Sequence, residues 1–215
     1  VNTNGVEMMD ERGYYSVYTV FMAIRGTQTT SFGPGASYIT LNPDERVLDR
    51  GDMRGQIETA LSLLDPRPIG RKFIGSLLAA PAFTRFFFGT LAQIALSDSP
   101  LTSGTGRLCG KLGEQVASDC LTLSFAPHSE DILMGERFTA DGYLSADCSP
   151  IQHGRLTEYL LSRHGALTSG LRRGANLGTA LLVQAGKPTL EEMIARVEHG
   201  LLIGRYSGAA ADVAG

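Results

Sequence analysis

Tryptophan is absent from this chain of 215 residues, and histidine and cysteine are scarce, at four and three residues. Each scarcity excludes something. Cys109, Cys120 and Cys148 have no zinc-finger spacing, and an odd count points to reduced, mostly buried thiols in a cytoplasmic setting. Among the histidines His128, His153, His164 and His199, positions 153 and 164 are too far apart for one helix face. No excess of positive charge is present: 19 basic against 22 acidic residues give a net charge of −3, which is no electrostatic footprint for nucleic acid. No apolar run reaches membrane-spanning length, because the stretch 83–96 is short and carries Arg85 and Gln93. No basic segment followed by an apolar one opens the chain, so secretion is not expected. A starting methionine is also lacking, and missing sequence on both sides is the expectation.

What is present reads as a folded protein, with 43% hydrophobic and 19% charged residues, and 26 glycines that supply turns. Residues 6–40 read as antiparallel strands, with Tyr14, Tyr15, Val17, Tyr18, Val20 and Phe21 as β-branched or aromatic members, a turn at Gly33-Pro34-Gly35 and a short strand over 37–41. Asn42 and Pro43 predict the start of a helix reaching residue 64, weakened in its middle by Gly51 and Gly55. Residues 65–70 form a linker, 72–78 a strand, and Pro81 opens a helix to about Leu96. Strands are expected over 121–125 and 179–183, a strand pair over 138–144, and a helix over 155–164 with Leu156, Tyr159 and Leu160 on one face. Strands cluster between single helices, which predicts an α+β fold with largely antiparallel sheets and a few packed helices.

Candidate chemistry is thin. Asp147, Cys148 and His153 form a weak metal-ligand alternative, since three donors in a loop match no strong zinc spacing; a buried thiol and a turn residue are the plainer reading. A Cys–His nucleophile pair has no specific support, and Ser76, Ser124 and Ser149 lack the Gly-x-Ser-x-Gly elbow. The loop 104–110 is glycine-rich like a phosphate loop but lacks Gly-Lys-Ser/Thr, and a flexible surface loop is the plainer reading. Arg172 and Arg173 form a small basic spot beside two glycines, either solvated or in contact with a peptide or partner. The closing unit is clearest. Thr189 sits at an N-cap, Glu191 and Glu192 fill the first turn, Met193, Ile194 and Val197 share a face, Gly200 ends the helix, and 201–203 reads as a buried strand.

Several stretches line up with one known family. Residues 186–201 resemble "G-x-x-S-x-E-E-L-I-x-x-x-x-x-G-L" of the TldD/PmbA peptidase family, and 112–123 are similar to its "L-G-x-x-V-x-S-x-x-L-T-L". Residues 1–6 look like its "N-S-x-G" strand turn, 137–142 sit where members have "F-D-x-E-G", and 152–160 look like "x-x-G-x-L-x-x-Y-L". The co-linear set covers nearly the whole chain. It implies one C-terminal-type domain over 1–215, with leading strands over 1–41, a helix over 42–64 and the main body over 71–215; the family's N-terminal domain is absent from these residues.

The resemblance implies two alternatives for function. TldD-kind subunits carry His-Glu-x-x-x-His on a helix, two imidazoles for zinc and a glutamate to activate its water. PmbA-kind subunits lack them and pair with the first kind in a cytoplasmic protease that trims unfolded peptides. An approximate match puts Phe88, Gly89 and Gln93 at the degenerate positions of first His, Glu and second His. The expectation is therefore a metal-free subunit, a modulator of DNA gyrase-like protein not catalytic alone, with no catalytic residue and no cofactor. Zinc would sit only in a partner, either a TldD-like subunit or a second copy in a dimer. The ligand would be an extended peptide, with no nucleic acid and no membrane. The alternatives are a stand-alone hydrolase rebuilt near Cys148 and His153, and a non-catalytic interaction domain. Changed acids within 137–142 and the lack of "S-T-G-N-A" in 169–174 depart from the family pattern.

Overall fold

The computed structural model describes residues 3–30, 35–43, 46–68, 70 and 72–204, without the side chains of Ala82 and Gln93. Contacts gather these residues into two compact units, 10–74 and 1–9 with 75–215. Each unit has its own apolar cluster. Among the described residues there are five α-helices, and all but one strand pairing is antiparallel, the mixed architecture that the clustering of strands predicts.

In the unit 10–74, β1 (Tyr15–Val20) pairs antiparallel with β4 (Gly35–Thr40), Tyr15 facing Thr40 and Val20 facing Gly35. A short hairpin, β2 (Ile24–Arg25) and β3 (Gln28–Thr29), turns at Gly26. Helix α1 (Met53–Ser62) buries Met53 and Ala60, and Ala60 clusters with Ala23 and Leu64. The helix expected to start at Asn42 begins here instead. After a 3-10 turn at Val47–Asp49, Gly51 (φ 61°) and Asp52 (φ 59°) are both left-handed and break the chain direction. A helix cannot pass through two such residues. The expected turn at 33–34 lies outside the described residues, as does the chain after residue 204.

The other unit is built on a four-stranded antiparallel sheet ordered β8-β7-β6-β9: β6 (Leu123–Phe125), β7 (Cys148–Gln152), β8 (Arg155–Leu156) and β9 (Leu181–Val183). Before it come β5 (Ser76–Ala79) and helix α2 (Pro81–Ala95), the latter opened by proline at its first position as expected. Helix α3 (Asp98–Thr102) follows. Phe88, Ala92 and Leu96, spaced for one face, pack on Leu123, Phe125, Ile151 and Leu156 of the sheet. The expected helix over 155–164 is not formed. His153 (φ 48°) and Gly154 (φ 73°) make a tight hairpin turn that returns Arg155 and Leu156 onto β7, and Tyr159, Leu160 and Leu161 are then all buried in the core. The helix comes later, as α4 (Arg163–Ser169), capped by the Ser162 hydroxyl and ended by left-handed Gly170. The strand pair expected over 138–144 reduces to one bridge between Phe138 and Leu144.

Helix α5 (Leu190–Ala195) carries a complete capping box: the Glu192 amide donates to Thr189 Oγ1 at 3.2 Å, and the Thr189 amide to Glu192 Oε2 at 3.0 Å. It ends at Ala195, short of Gly200. Strand β10 (Gly200–Ile203) then pairs parallel with β5, Gly200 facing Ser76 and Ile203 facing Ala79. The expectation of a buried strand is corrected here, since Leu202 is 50% exposed. A two-stranded sheet covers little of either face.

Candidate functional site

The helix positions that the resemblance singled out lie on α2. Phe88 is half-buried against the core cluster, its ring edge-on to Phe87 at 5.3 Å. Gly89 has no side chain, and a Cβ there would meet open space. Gln93 sits four residues beyond Gly89, about one turn further on the same helix. The face carrying Phe88 is the one that Ala92 and Leu96 close, and both are almost fully buried. Apolar packing occupies it.

Asp147, Cys148 and His153 are not brought together. Cys148 is buried at the start of β7, where Asn176 Nδ2 donates to its sulfur at 3.3 Å. Burial, with Glu158 and Asp147 nearby, pushes this thiol up to about 12. His153 is exposed in the turn beyond the strand's other end, roughly 16 Å along a β backbone. Among the described residues no group of three or more His, Cys, Asp or Glu side chains is placed to hold a metal. Ser124 and Ser149 bond each other across β6 and β7 at 2.8 Å, and no histidine takes part in that contact.

Of the two arginines, Arg172 is exposed and Arg173 is not. Arg173 grips Asp141 with two bonds, Nη2 to Oδ1 at 2.7 Å and Nε to Oδ2 at 3.1 Å. Its Nη2 also donates to Thr139 Oγ1 at 2.7 Å, its Nη1 donates to the Gly174 carbonyl at 2.8 Å, and the guanidinium lies 4.0 Å over the Tyr143 ring. Asp141 accepts two further bonds, from the Thr139 hydroxyl at 2.5 Å and the Arg163 amide at 2.7 Å. Burial raises the Asp141 carboxyl, but the bonds from Arg173, Thr139 and Arg163 outweigh it and hold it well below the usual carboxylate range. Four donors thus fill the carboxylate's acceptor sites. The turn itself is tied by Thr139 N to Tyr143 O at 2.7 Å and passes through left-handed Gly142.

This turn walls a hollow of about 270 Å³, with Val6 and Met8 opposite residues 138–142. Sequence reading flagged Arg173 but missed Asp141, which is 32 residues away. The signal was present: Asp141 stands where the "F-D-x-E-G" stretch has its second acid. Asn176, fully buried, was also missed; its amide bonds the Ala146 carbonyl at 3.0 Å and accepts from the Gly178 amide at 2.9 Å.

The four-stranded sheet has unequal edges. On the β8 side, Gly113 donates to the Leu156 carbonyl at 2.7 Å and Leu156 to the Glu114 carbonyl at 3.0 Å, so residues 113–116 cover it. On the β9 side, among the described residues no strand pairs beyond β9. Gln184 N bonds Thr122 O and Ala126 N bonds Ala180 O, which makes 184/122 and 180/126 hydrogen-bonded pairs. Alternation then turns the Leu182 amide and carbonyl toward β6 and those of Leu181 and Val183 outward. The edge carries no charge, no proline and no bulge, the devices that usually protect one.

Comparisons with known proteins agree with this geometry. TldE from Thermococcus kodakarensis superposes with a TM-score of 0.74 at 22% identity, over 97% of this chain and 49% of that one. A structure titled putative modulator of DNA gyrase from Bacteroides thetaiotaomicron superposes with a TM-score of 0.73 at 24% identity, over 99% of this chain and 48% of that one. At these identities the likeness is one of fold. A protein named metalloprotease from Methanothermobacter thermautotrophicus is 25% identical over 179 residues, 78% of this chain and 38% of that protein. The chain thus spans half or less of the length of these relatives. The family model for the PmbA/TldA metallopeptidase C-terminal domain matches residues 76–215, and the chain belongs to that family, the TldD/PmbA proteins.

Proposed function

We propose that this chain is a metal-free subunit of a TldD/PmbA-type protease, holding extended, unfolded peptide while a zinc-bearing partner cleaves it. The observation that carries the reading is the packing of α2. Phe88, half-buried, packs its ring against the apolar core, and Gly89 offers no carboxylate for a water. These residues do not fit zinc, which takes imidazole, thiolate or carboxylate donors. The chain's own contribution is then shape. The outward amides and carbonyls of Leu181 and Val183 offer main-chain bonds to an added strand, a mode that reads backbone rather than side chains. Three unpaired thiols suit the cytoplasm. Among the described residues no helix is long and apolar enough to cross a membrane.

The test has two arms. Elemental analysis of the purified chain is expected to find no stoichiometric zinc, and the chain alone to cleave no unfolded peptide; one zinc per chain, or turnover by the lone subunit, ends the reading. In the second arm, a fluorescent unstructured peptide is expected to bind, and Val183→Pro, which deletes one outward N–H and spares the bonds to β6, is expected to weaken it about tenfold. Unchanged binding would exclude the β9 edge. The alternative centred on Cys148 and His153 gains no support, since the two side chains lie apart.

A further inference from the structure

The two faces of the four-stranded sheet differ at its open edge. Directly paired residues of an antiparallel sheet share a face, and successive residues alternate. Leu123 faces Val183 and Phe125 faces Leu181, so these four side chains lie on the face where α2 packs. Ser124 faces Leu182, and this pair belongs to the other face. On the covered face burial falls off toward the edge. Leu123 and Phe125 are 0% and 1% exposed, whereas Leu181 and Val183 are only partly buried, although both pack on the same apolar cluster. On the opposite face Leu182 is 43% exposed. The core thus runs out at β9 with its last two side chains still partly wet. Leu181 and Val183 are also the two residues whose amides and carbonyls point outward. A strand bonded to them sets one residue opposite each, whichever way it runs. Those two residues are two apart, and their side chains fall on the covered face, about 5 Å from Leu181 and Val183. The residue between them falls beside Leu182 on the open face and keeps most of its water.

We infer that the β9 edge selects an extended peptide by the period of its apolar residues: it takes apolar side chains at two positions two residues apart and leaves the residue between them free. The inference rests on the peptide-holding function proposed above and adds side-chain choice to a mode that otherwise reads backbone alone. An apolar side chain at either position completes the shielding of Leu181 or Val183 and extends the core by one strand. A hydroxyl or a charge at the same position lies against hydrocarbon, and the edge strand itself carries no charge to pair with it.

The experiment uses the full chain and two fluorescent peptides of one composition, Thr-Thr-Val-Thr-Val-Thr-Thr and Thr-Thr-Val-Val-Thr-Thr-Thr. Threonine has the shape of valine, so the two differ only in where the apolar side chains stand. The second peptide can set only one valine on the covered face. In anisotropy titrations the alternating peptide is expected to bind about fivefold tighter, and a ratio under about twofold overturns the inference. Val183→Thr keeps the shape and the N–H but removes the apolar wall at one position. It is expected to cut the ratio at least by half, and an unchanged ratio in a variant whose circular dichroism matches the parent also overturns the inference. Where that variant does not fold, the comparison on the parent chain decides. Val183→Pro is expected to weaken both peptides, and a preference that survives it at full affinity overturns the inference, since the peptide then lies elsewhere. Equal affinities that both fall in Val183→Pro remove the periodic preference and leave strand addition standing, whereas binding of neither peptide removes both.

Discussion

Replacing Asp141 by asparagine separates the charge of this residue from its size. The side chains of Asp141 and Arg173 are 20% and 19% exposed, so each keeps a little water and loses most of it. Asparagine retains one acceptor oxygen, cannot neutralise the guanidinium, and turns an amide toward donors at Thr139, Arg163 and Arg173. Breaking a fully buried pair on one side costs about 3–5 kcal/mol. Discounted for residual hydration, the expected loss at neutral pH is about 2–3 kcal/mol. The pH dependence has a definite sign. The folded carboxyl lies below its unfolded value, so the unfolded chain binds more protons and stability rises with pH between the two values. The contribution is complete above the unfolded value near 4 and drains away as pH falls toward the folded one, at about 1.4 kcal/mol per unit. Urea unfolding followed by circular dichroism, from about pH 7 down to about pH 2.5, is expected to show a constant gap between parent and Asp141→Asn above about pH 5 that closes below about pH 4. A gap under about 1 kcal/mol at pH 7, or one that ignores pH throughout, would refute the assigned bonding.

Thiol labelling at pH 8 is expected to modify exposed Cys120 first and buried Cys148 only on unfolding, because burial both shields that sulfur and keeps it protonated; peptide mass mapping reads the order. Thr189→Ala removes the capping-box acceptor and is expected to cost about 1 kcal/mol, seen as faster hydrogen exchange at the Glu192 amide. Gly135→Ala would drive a methyl into the Pro127 carbonyl and is expected to lower stability by about 1–3 kcal/mol in the same urea assay.

Local chemistry explains what sequence could reveal. Proline at the first turn and an apolar stripe made α2 readable, and a threonine three residues before a glutamate made the α5 start readable. These signals are complete within a few residues. The start of α1 was hidden because Asp52 adopts a left-handed backbone, which its identity permits but does not require. Leu156, Tyr159 and Leu160 carry helical spacing by coincidence. They are inside because a return strand and the segment after it cross the core, and periodicity cannot distinguish that from a buried helix face. The site was least legible. Arg173 was visible as a basic spot, but its partner is 32 residues distant, and only the folded turn closes the pair. The open edge at β9 depends on which strand neighbours which, and that order is topological rather than local.

The parallel pairing of β5 with β10 bears on biosynthesis. Ser76 leaves the ribosome more than a hundred residues before Gly200, the position it finally faces. At ordinary elongation speeds that interval is on the order of ten seconds. Throughout it Leu77, which stays 61% exposed even in the finished protein, belongs to an unmatched ribbon beside the aromatic run of α2. A nascent chain in that state is a natural client for a holding chaperone, and the clasp closes only once Ile203 has been made.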